Sequence, residues 1–203
     1  MTVTLGPLTP AVIRSLAQLH RAAFPDFFLS RLGEPFLVQF YRGFLMDDSA
    51  VTVVAQAADG SVQGVVVGTT EPAGFFGRLV KHRCLGFALA SVRAMVTNPK
   101  SAPRLLRATR YRGDAPAGSK GALLSSICVD PARQGSGLGA QLVEAWTGEV
   151  ADRGLHTAFL TTDADNNDAV NRFYQAQGWV VSARYVTREG RSMNRYTIAL
   201  GER

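Results

Sequence analysis

Ile127-Cys128-Val129-Asp130-Pro131-Ala132-Arg133-Gln134-Gly135-Ser136-Gly137-Leu138-Gly139 is the stretch from which the fold of this chain is read. The run before it, Ala122 to Val129, is apolar and uncharged and predicts a buried strand. A turn over Asp130 to Gly139 follows, then a helix from about Leu138 to Arg153 that Gly154 stops. Glycines allow positive φ and close backbone approach, so successive N–H groups in such a turn can converge on one point. The helix start adds unpaired N–H groups and the positive end of its dipole. Together these features describe a cradle for a pyrophosphate. No Lys-Ser or Lys-Thr follows the glycines, which excludes a P-loop. The glycine spacing also differs from the dinucleotide fingerprint. A glycine-rich strand-to-helix turn without a ligand is the remaining alternative.

Working downstream, Thr157 to Thr162 predicts a strand, Asn167 to Gln177 a helix ended by Gly178, and Trp179 to Ala183 and Ser192 to Leu200 two more strands. Strand, turn, helix, strand requires a parallel crossover. Upstream, Thr2 to Leu5 reads as a strand, and Thr9 as the cap of a helix with Pro10 at its first position. Phe36, Leu37, Phe40, Phe44 and Leu45 recur at helical spacing between Pro35 and Met46. Val51 to Ala57 and Ser61 to Thr69 flank Ala58-Asp59-Gly60 as a hairpin. The expected fold is α/β with at least one parallel crossover. The 203 residues predict a single domain carrying a basic helical insertion at about 72–120, between the third and fourth strands. Within it, Arg78 to Val96 reads as helical, a second basic stretch ends near Arg112, and Gly113 to Lys120 reads as a loop.

The formal charge is +6, and nine Lys or Arg without any Asp or Glu fall between Arg78 and Arg112. Such a field attracts phosphates, anionic acceptors, acidic membranes or nucleic acid. No nucleic-acid motif accompanies it, so nucleic acid is not expected as a partner. Phe75, Phe76, Leu79, Val80, Leu85, Phe87 and Leu89 lie among the cations, a pattern compatible with peripheral membrane contact or a homodimer surface. A solvated basic face is the plainer reading. Met1 to Pro10 lacks the basic start and apolar stretch of a signal peptide, and two cysteines make no disulfide framework, so a cytoplasmic location is expected. His20, His82 and His156 have no ligand spacing, and no metal is expected.

Gln134, Gly137 and Gly139, after Val129-Asp130-Pro131, resemble the first signature of the GNAT superfamily of N-acetyltransferases. Asn167, Val170, Phe173-Tyr174 and Gly178-Trp179 resemble its second motif, with Val170 and Trp179 as mild departures. The resemblance implies a mixed, mostly antiparallel central sheet with helices on both faces, and an acetyl-CoA-dependent N-acetyltransferase that releases CoA and acts by direct attack of a primary amine in a ternary complex. It implies that backbone N–H groups of Gln134, Gly135, Ser136, Gly137, Leu138 and Gly139 hold the pyrophosphate. Ile127 and Val129 would pair with the pantetheine arm as an added strand. A backbone N–H among Ile127, Cys128 and Val129 would stabilise the oxyanion. Asn167 would reach the arm, and Tyr174 would donate to the departing sulfur. By themselves, Tyr174 also reads as a core aromatic and Asn167 as a helix cap.

The strand Ala122 to Val129 carries no carboxylate, so the general base is sought elsewhere. Glu71 and Asp163 are the best-placed acids, and a water chain relayed by Ser125 or Ser126 is the alternative. Asp26 and Glu34 are weaker candidates. Phe27 and Phe28 lie where relatives line the acceptor pocket, and Phe27 to Gly33 faintly resembles relatives acting on sugar amines. The expected acceptor is a small-molecule amine, an amino sugar among the candidates. A protein or peptide N-acetyltransferase and an inactive CoA-binding sensor are the alternatives.

Overall fold

The computed structural model describes residues 3–97, 120–187 and 190–201. Seven strands form one sheet: β1 (Val3–Gly6), β2 (Ala50–Ala57), β3 (Val62–Thr69), β4 (Ala122–Val129), β5 (Thr157–Asp163), β6 (Val180–Val186) and β7 (Ser192–Ala199). Their order is β1-β2-β3-β4-β5-β7-β6, and every neighbouring pair is antiparallel except β4 and β5. The mixed, mostly antiparallel sheet expected from the sequence is therefore the sheet observed.

Strand alternation divides two cores between the faces. On one face Val51, Val53, Ala55 and Val66 pack with Leu138, Leu142, Val143 and Trp146 of α6 (Leu138–Asp152). Tyr174 of α7 (Asp168–Ala176) joins the same core. On the other face Val54, Val65, Val67 and Cys128 meet α1 (Ile13–Ala23) and α3 (Glu34–Phe44). The hairpin, both α6 and α7, and the last two strands fall within a few residues of their expected bounds.

Three local expectations are corrected. Thr9 makes no side-chain cap; its carbonyl accepts from Val12 N–H at 3.3 Å, and Pro10–Val12 is a 3₁₀ turn leading into α1. The single helix expected from Arg78 to Val96 is two, α4 (Phe75–His82) and α5 (Cys84–Thr97), separated at Arg83. A short helix, α2 (Phe28–Arg31), was not anticipated. The second basic stretch and nearly all of the loop expected at 113–120 lie outside the described residues. Phe75 and Leu79 bury themselves against α3, whereas Leu85 and Leu89 are 77% and 72% exposed. No described helix is long and apolar enough to cross a membrane.

Candidate active site

The site begins where the two parallel strands part. β4 and β5 pair only at Ala122↔Ala158 and Leu123↔Phe159, although both continue for several residues. A bulge on β4 accompanies the opening. Val67 faces Ser126 and Gly68 faces Leu124, so Ser125 is the unpaired extra residue. One extra residue reverses the alternation. Ala122 and Leu124 before the bulge, and Ile127 and Val129 after it, all pack on the α6 side, while Cys128 turns to the other core. Asp130 N–H donates to Gln63 carbonyl at 2.8 Å. By antiparallel alternation Cys128 and Ser126 also direct their main-chain groups to β3. Those of Ile127 and Val129 then point into the gap left by β5. Ile127 and Val129, not Cys128, line this open edge.

Beyond β4, Asp130 caps a 3₁₀ turn, Pro131–Arg133, through Ala132 N–H to Oδ1 at 2.9 Å. Gly135 and Gly137 follow with φ of 76° and 82°, a region that side-chain-bearing residues rarely occupy. A Cβ on either would meet no atom of the described residues within 4 Å, so among these residues the space over the turn is open. Two of the expected donors are already used. Gln134 N–H donates to Pro131 carbonyl at 3.4 Å and Ser136 N–H to Arg133 carbonyl at 3.3 Å. The first bond of α6 runs from Gln141 N–H to Gly137 carbonyl at 3.2 Å. That leaves the N–H groups of Gly135, Gly137, Leu138, Gly139 and Ala140 without a backbone acceptor among the described residues. No acidic residue occupies the first turn of α6, so nothing offsets the positive end of the helix dipole. A cradle of unpaired donors open to solvent suits a diphosphate.

The second motif docks directly on the first. A Cβ at Gly139 would lie 3.3 Å from the Phe173 ring, so a side chain there would push the ring back by a few tenths of an ångström. Tyr174 packs edge-on against Phe173 and Trp179, at centroid distances of 5.0 and 5.9 Å. Burial of the ring pushes the phenol's pKa upward, so the neutral donor form is held. Its hydroxyl makes no hydrogen bond among the described residues, yet it is not among the fully enclosed polar atoms. The body of Tyr174 is core and its oxygen remains open.

Asn167 stands at the N-cap position of α7 without capping it. Its Nδ2 donates to Thr162 Oγ1 at 2.8 Å and to Asp163 carbonyl at 3.2 Å, tying α7 to the end of β5. Asn171, which the sequence reading missed, completes the tie. Its Nδ2 donates to the carbonyls of Asp163 and Asn167, and its Oδ1 accepts from Asn194 Nδ2 and Tyr196 hydroxyl. A helical i, i+4 spacing of two asparagines was the only available signal.

Neither acid stands free. Glu71 has a 72% exposed side chain 3.8 Å from Arg78 Nη2, and it lies beyond Thr69, which pairs with Leu123 where the strands are still closed. Asp163 lies at the open end of β5, but Arg191 Nη2 contacts both its oxygens at 2.8 Å. Of the weaker candidates, Asp26 pairs with Arg31 at 2.9 Å and Glu34 with Arg14 at 3.0 Å. Ser125, the extra residue of the bulge, lies two residues past Leu123, the last position at which β4 pairs with β5.

Beneath β4, on the α1 side, runs a buried polar chain. His20 Nδ1 is 2.9 Å from Tyr41 hydroxyl, which is 3.7 Å from Cys128 Sγ. Phe24, Phe27 and Phe40 surround the imidazole, and its Nε2 is buried without a hydrogen-bond partner among the described residues. Phe27 is 44% exposed over this cluster; Phe28 opens α2, its side chain lying outside the described set. Burial lowers the His20 pKa to about 4 and raises the Cys128 thiol to about 12. Cys128 is thus no thiolate nucleophile. Because the folded state holds His20 below its ordinary 6.5, its contribution to stability is complete above pH 6.5 and is lost as the pH falls toward 4. Urea midpoints should show about 2 kcal/mol lost between pH 7 and pH 5. His20→Gln should flatten the profile in that window; an unchanged slope would show that His20 is not its source.

Comparison with known proteins adds to this geometry. The acetyltransferase (GNAT) family model matches residues 13–179. A search of curated proteins finds no match. Among solved structures, a GNAT-family protein from Desulfovibrio desulfuricans superposes with TM-score 0.66 at 16% identity, covering 98% of this chain and 100% of its own. The yncA protein of Salmonella typhimurium, solved with its cofactor acetyl-CoA, gives 0.63 at 16% identity, covering 100% of this chain and 96% of its own. The spermidine/spermine N-acetyltransferase SpeG of Vibrio cholerae gives 0.56 at 17% identity, covering 98% and 92%.

Proposed function

The chain belongs to the GNAT acetyltransferase family and is an acyl-CoA-dependent N-acyltransferase, and on that premise we propose that its acceptor is the primary amine of a small molecule. The observation that supports the CoA part of this reading is the parting of β4 from β5 directly beside an open turn of unpaired N–H groups. The turn offers the donors of Gly135, Gly137, Leu138, Gly139 and Ala140 to the diphosphate of CoA. The edge of β4 offers main-chain groups of Ile127 and Val129 to the amides of the pantetheine arm, in the manner of an added strand.

Acetyl-CoA supplies an activated thioester carbonyl. Ile127 N–H, facing the gap, donates to the oxygen on which negative charge develops during attack. Tyr174 donates a proton or hydrogen bond toward the departing sulfur. All four acids considered from the sequence are in ion pairs, so the amine is proposed to enter neutral and to lose its proton to water at the bulge, past Ser125. Cys128 is buried on the opposite face with its thiol held neutral. Attack by the amine in a ternary complex is therefore favoured over an acyl-cysteine intermediate.

The test is thiol release from acetyl-CoA over a panel of small amines, amino sugars and peptides. Release that depends on a small amine is expected. Release with peptides alone would replace the acceptor, and CoA affinity without release on any amine would favour a sensor.

A further inference from the structure

Arg195 lies in the middle of β7, and among the described residues nothing answers its charge. Its Nε is buried without a hydrogen-bond partner, and its guanidinium enters neither a salt bridge nor a side-chain hydrogen bond. A half-buried guanidinium without a counterion carries a free-energy cost, which an anion at its open end would relieve. The two terminal nitrogens are not enclosed, so an anion would meet the guanidinium end-on.

Its position is set by the strand. Asn194 and Tyr196, one residue to either side, both bond Asn171 of α7. Alternation sends Arg195 to the opposite face, in register with Thr161 on β5 and Ala183 on β6. Counting on from Leu123↔Phe159 sets Thr161 level with Ser125, where β4 and β5 part. On that face α1 and α3 pack against β2, β3 and β4. Arg195 therefore stands one strand beyond the opening, on the face away from α6 and α7. Asp163 shares this face, in register with Met193, but its carboxylate is held by Arg191 through two contacts of 2.8 Å. It is not the missing counterion.

We infer that Arg195 anchors an anionic group, a carboxylate or a phosphate, carried by the acceptor amine, whose nitrogen then lies toward the bulge at Ser125. The inference rests on the small-molecule amine reading and narrows it to amino acids or phosphorylated amines. CoA is excluded as the ligand of Arg195 because its cradle lies at the start of α6, on the other face. A polyamine, as acted on by the Vibrio cholerae relative, would set a second cation against Arg195.

Two matched acceptor pairs test this: glycine with glycinamide, and phosphoethanolamine with ethanolamine. The readout is the ratio of kcat/KM for the anionic over the neutral member, with R195Q and the charge-conserving R195K beside wild type. Wild type should favour the anionic member of at least one pair by about tenfold or more. R195Q should bring that ratio close to one, chiefly through KM, and R195K should restore part of it. The discriminated pair identifies the anion as carboxylate or phosphate. A wild-type ratio near one in both pairs, or a ratio that R195Q leaves untouched, would overturn the inference. If none of the four amines is turned over, calorimetric binding of the same pairs decides it by the same ratio. CoA titrated alongside reports on the parent reading, which fails separately if CoA does not bind.

Discussion

Gly137→Val is expected to weaken CoA binding by about 100-fold or more, equivalent to about 2.7 kcal/mol. Two effects combine. Gly137 holds a φ of 82°, so a β-branched residue there is strained by about 1–3 kcal/mol. Its Cβ would also project into the open space over the turn, where no atom of the described residues lies within 4 Å. That is the space a diphosphate must enter to reach the N–H groups of Gly137, Leu138 and Gly139. Strain alone could lower apparent affinity by unfolding the protein, so a control is needed. Gly60, at the β2–β3 turn, has the same φ of 82° and the same empty surroundings, but its N–H donates to Ala57 carbonyl and is no part of the cradle. Gly60→Val should lose comparable stability in urea and keep its CoA affinity. Calorimetry on both variants separates the causes. Equal affinity loss would reduce the turn to a structural feature; retained binding in Gly137→Val would remove the proposed cradle.

The parts of this site that sequence discloses are those governed by local backbone physics. Glycines at 135, 137 and 139 between an uncharged strand and a helix specify a turn whose donors point outward, because few other residues adopt that path. Consecutive valines, Val53-Val54 in β2 and Val65-Val66-Val67 in β3, specify two buried faces in the same local way. What sequence hides depends on partners distant along the chain. The bulge at Ser125 exists only relative to Val67 and Gly68 on β3. Asn167 reads as a helix cap, yet Thr162 and Asp163 capture its amide instead. Glu71 and Asp163 look like free acids until Arg78 and Arg191 are placed beside them. Arg195 is the converse case. Its lack of a counterion is visible only once its neighbours on β5 and β6 are known.

Tyr174→Phe is expected to lower kcat by about 100-fold while leaving CoA affinity unchanged, the lower end of what a positioned proton donor contributes. The substitution keeps the ring and its contacts with Phe173, Trp179 and Tyr196. It removes a hydroxyl that bonds nothing among the described residues, so stability should change by no more than about 0.5 kcal/mol. A core role alone predicts no kinetic effect. The pH dependence gives a second handle. Burial raises the Tyr174 pKa above the ordinary tyrosine value, so the folded protein favours the phenol over the phenolate. The associated stability is complete below pH 10 and declines as the pH rises past the unfolded-state value, and it should be absent from the phenylalanine variant. Within the neutral and mildly alkaline range, turnover by wild type should therefore show no falling limb from loss of this proton. Equal kcat in the two proteins would assign sulfur protonation to solvent and leave Tyr174 as packing between α7 and the sheet.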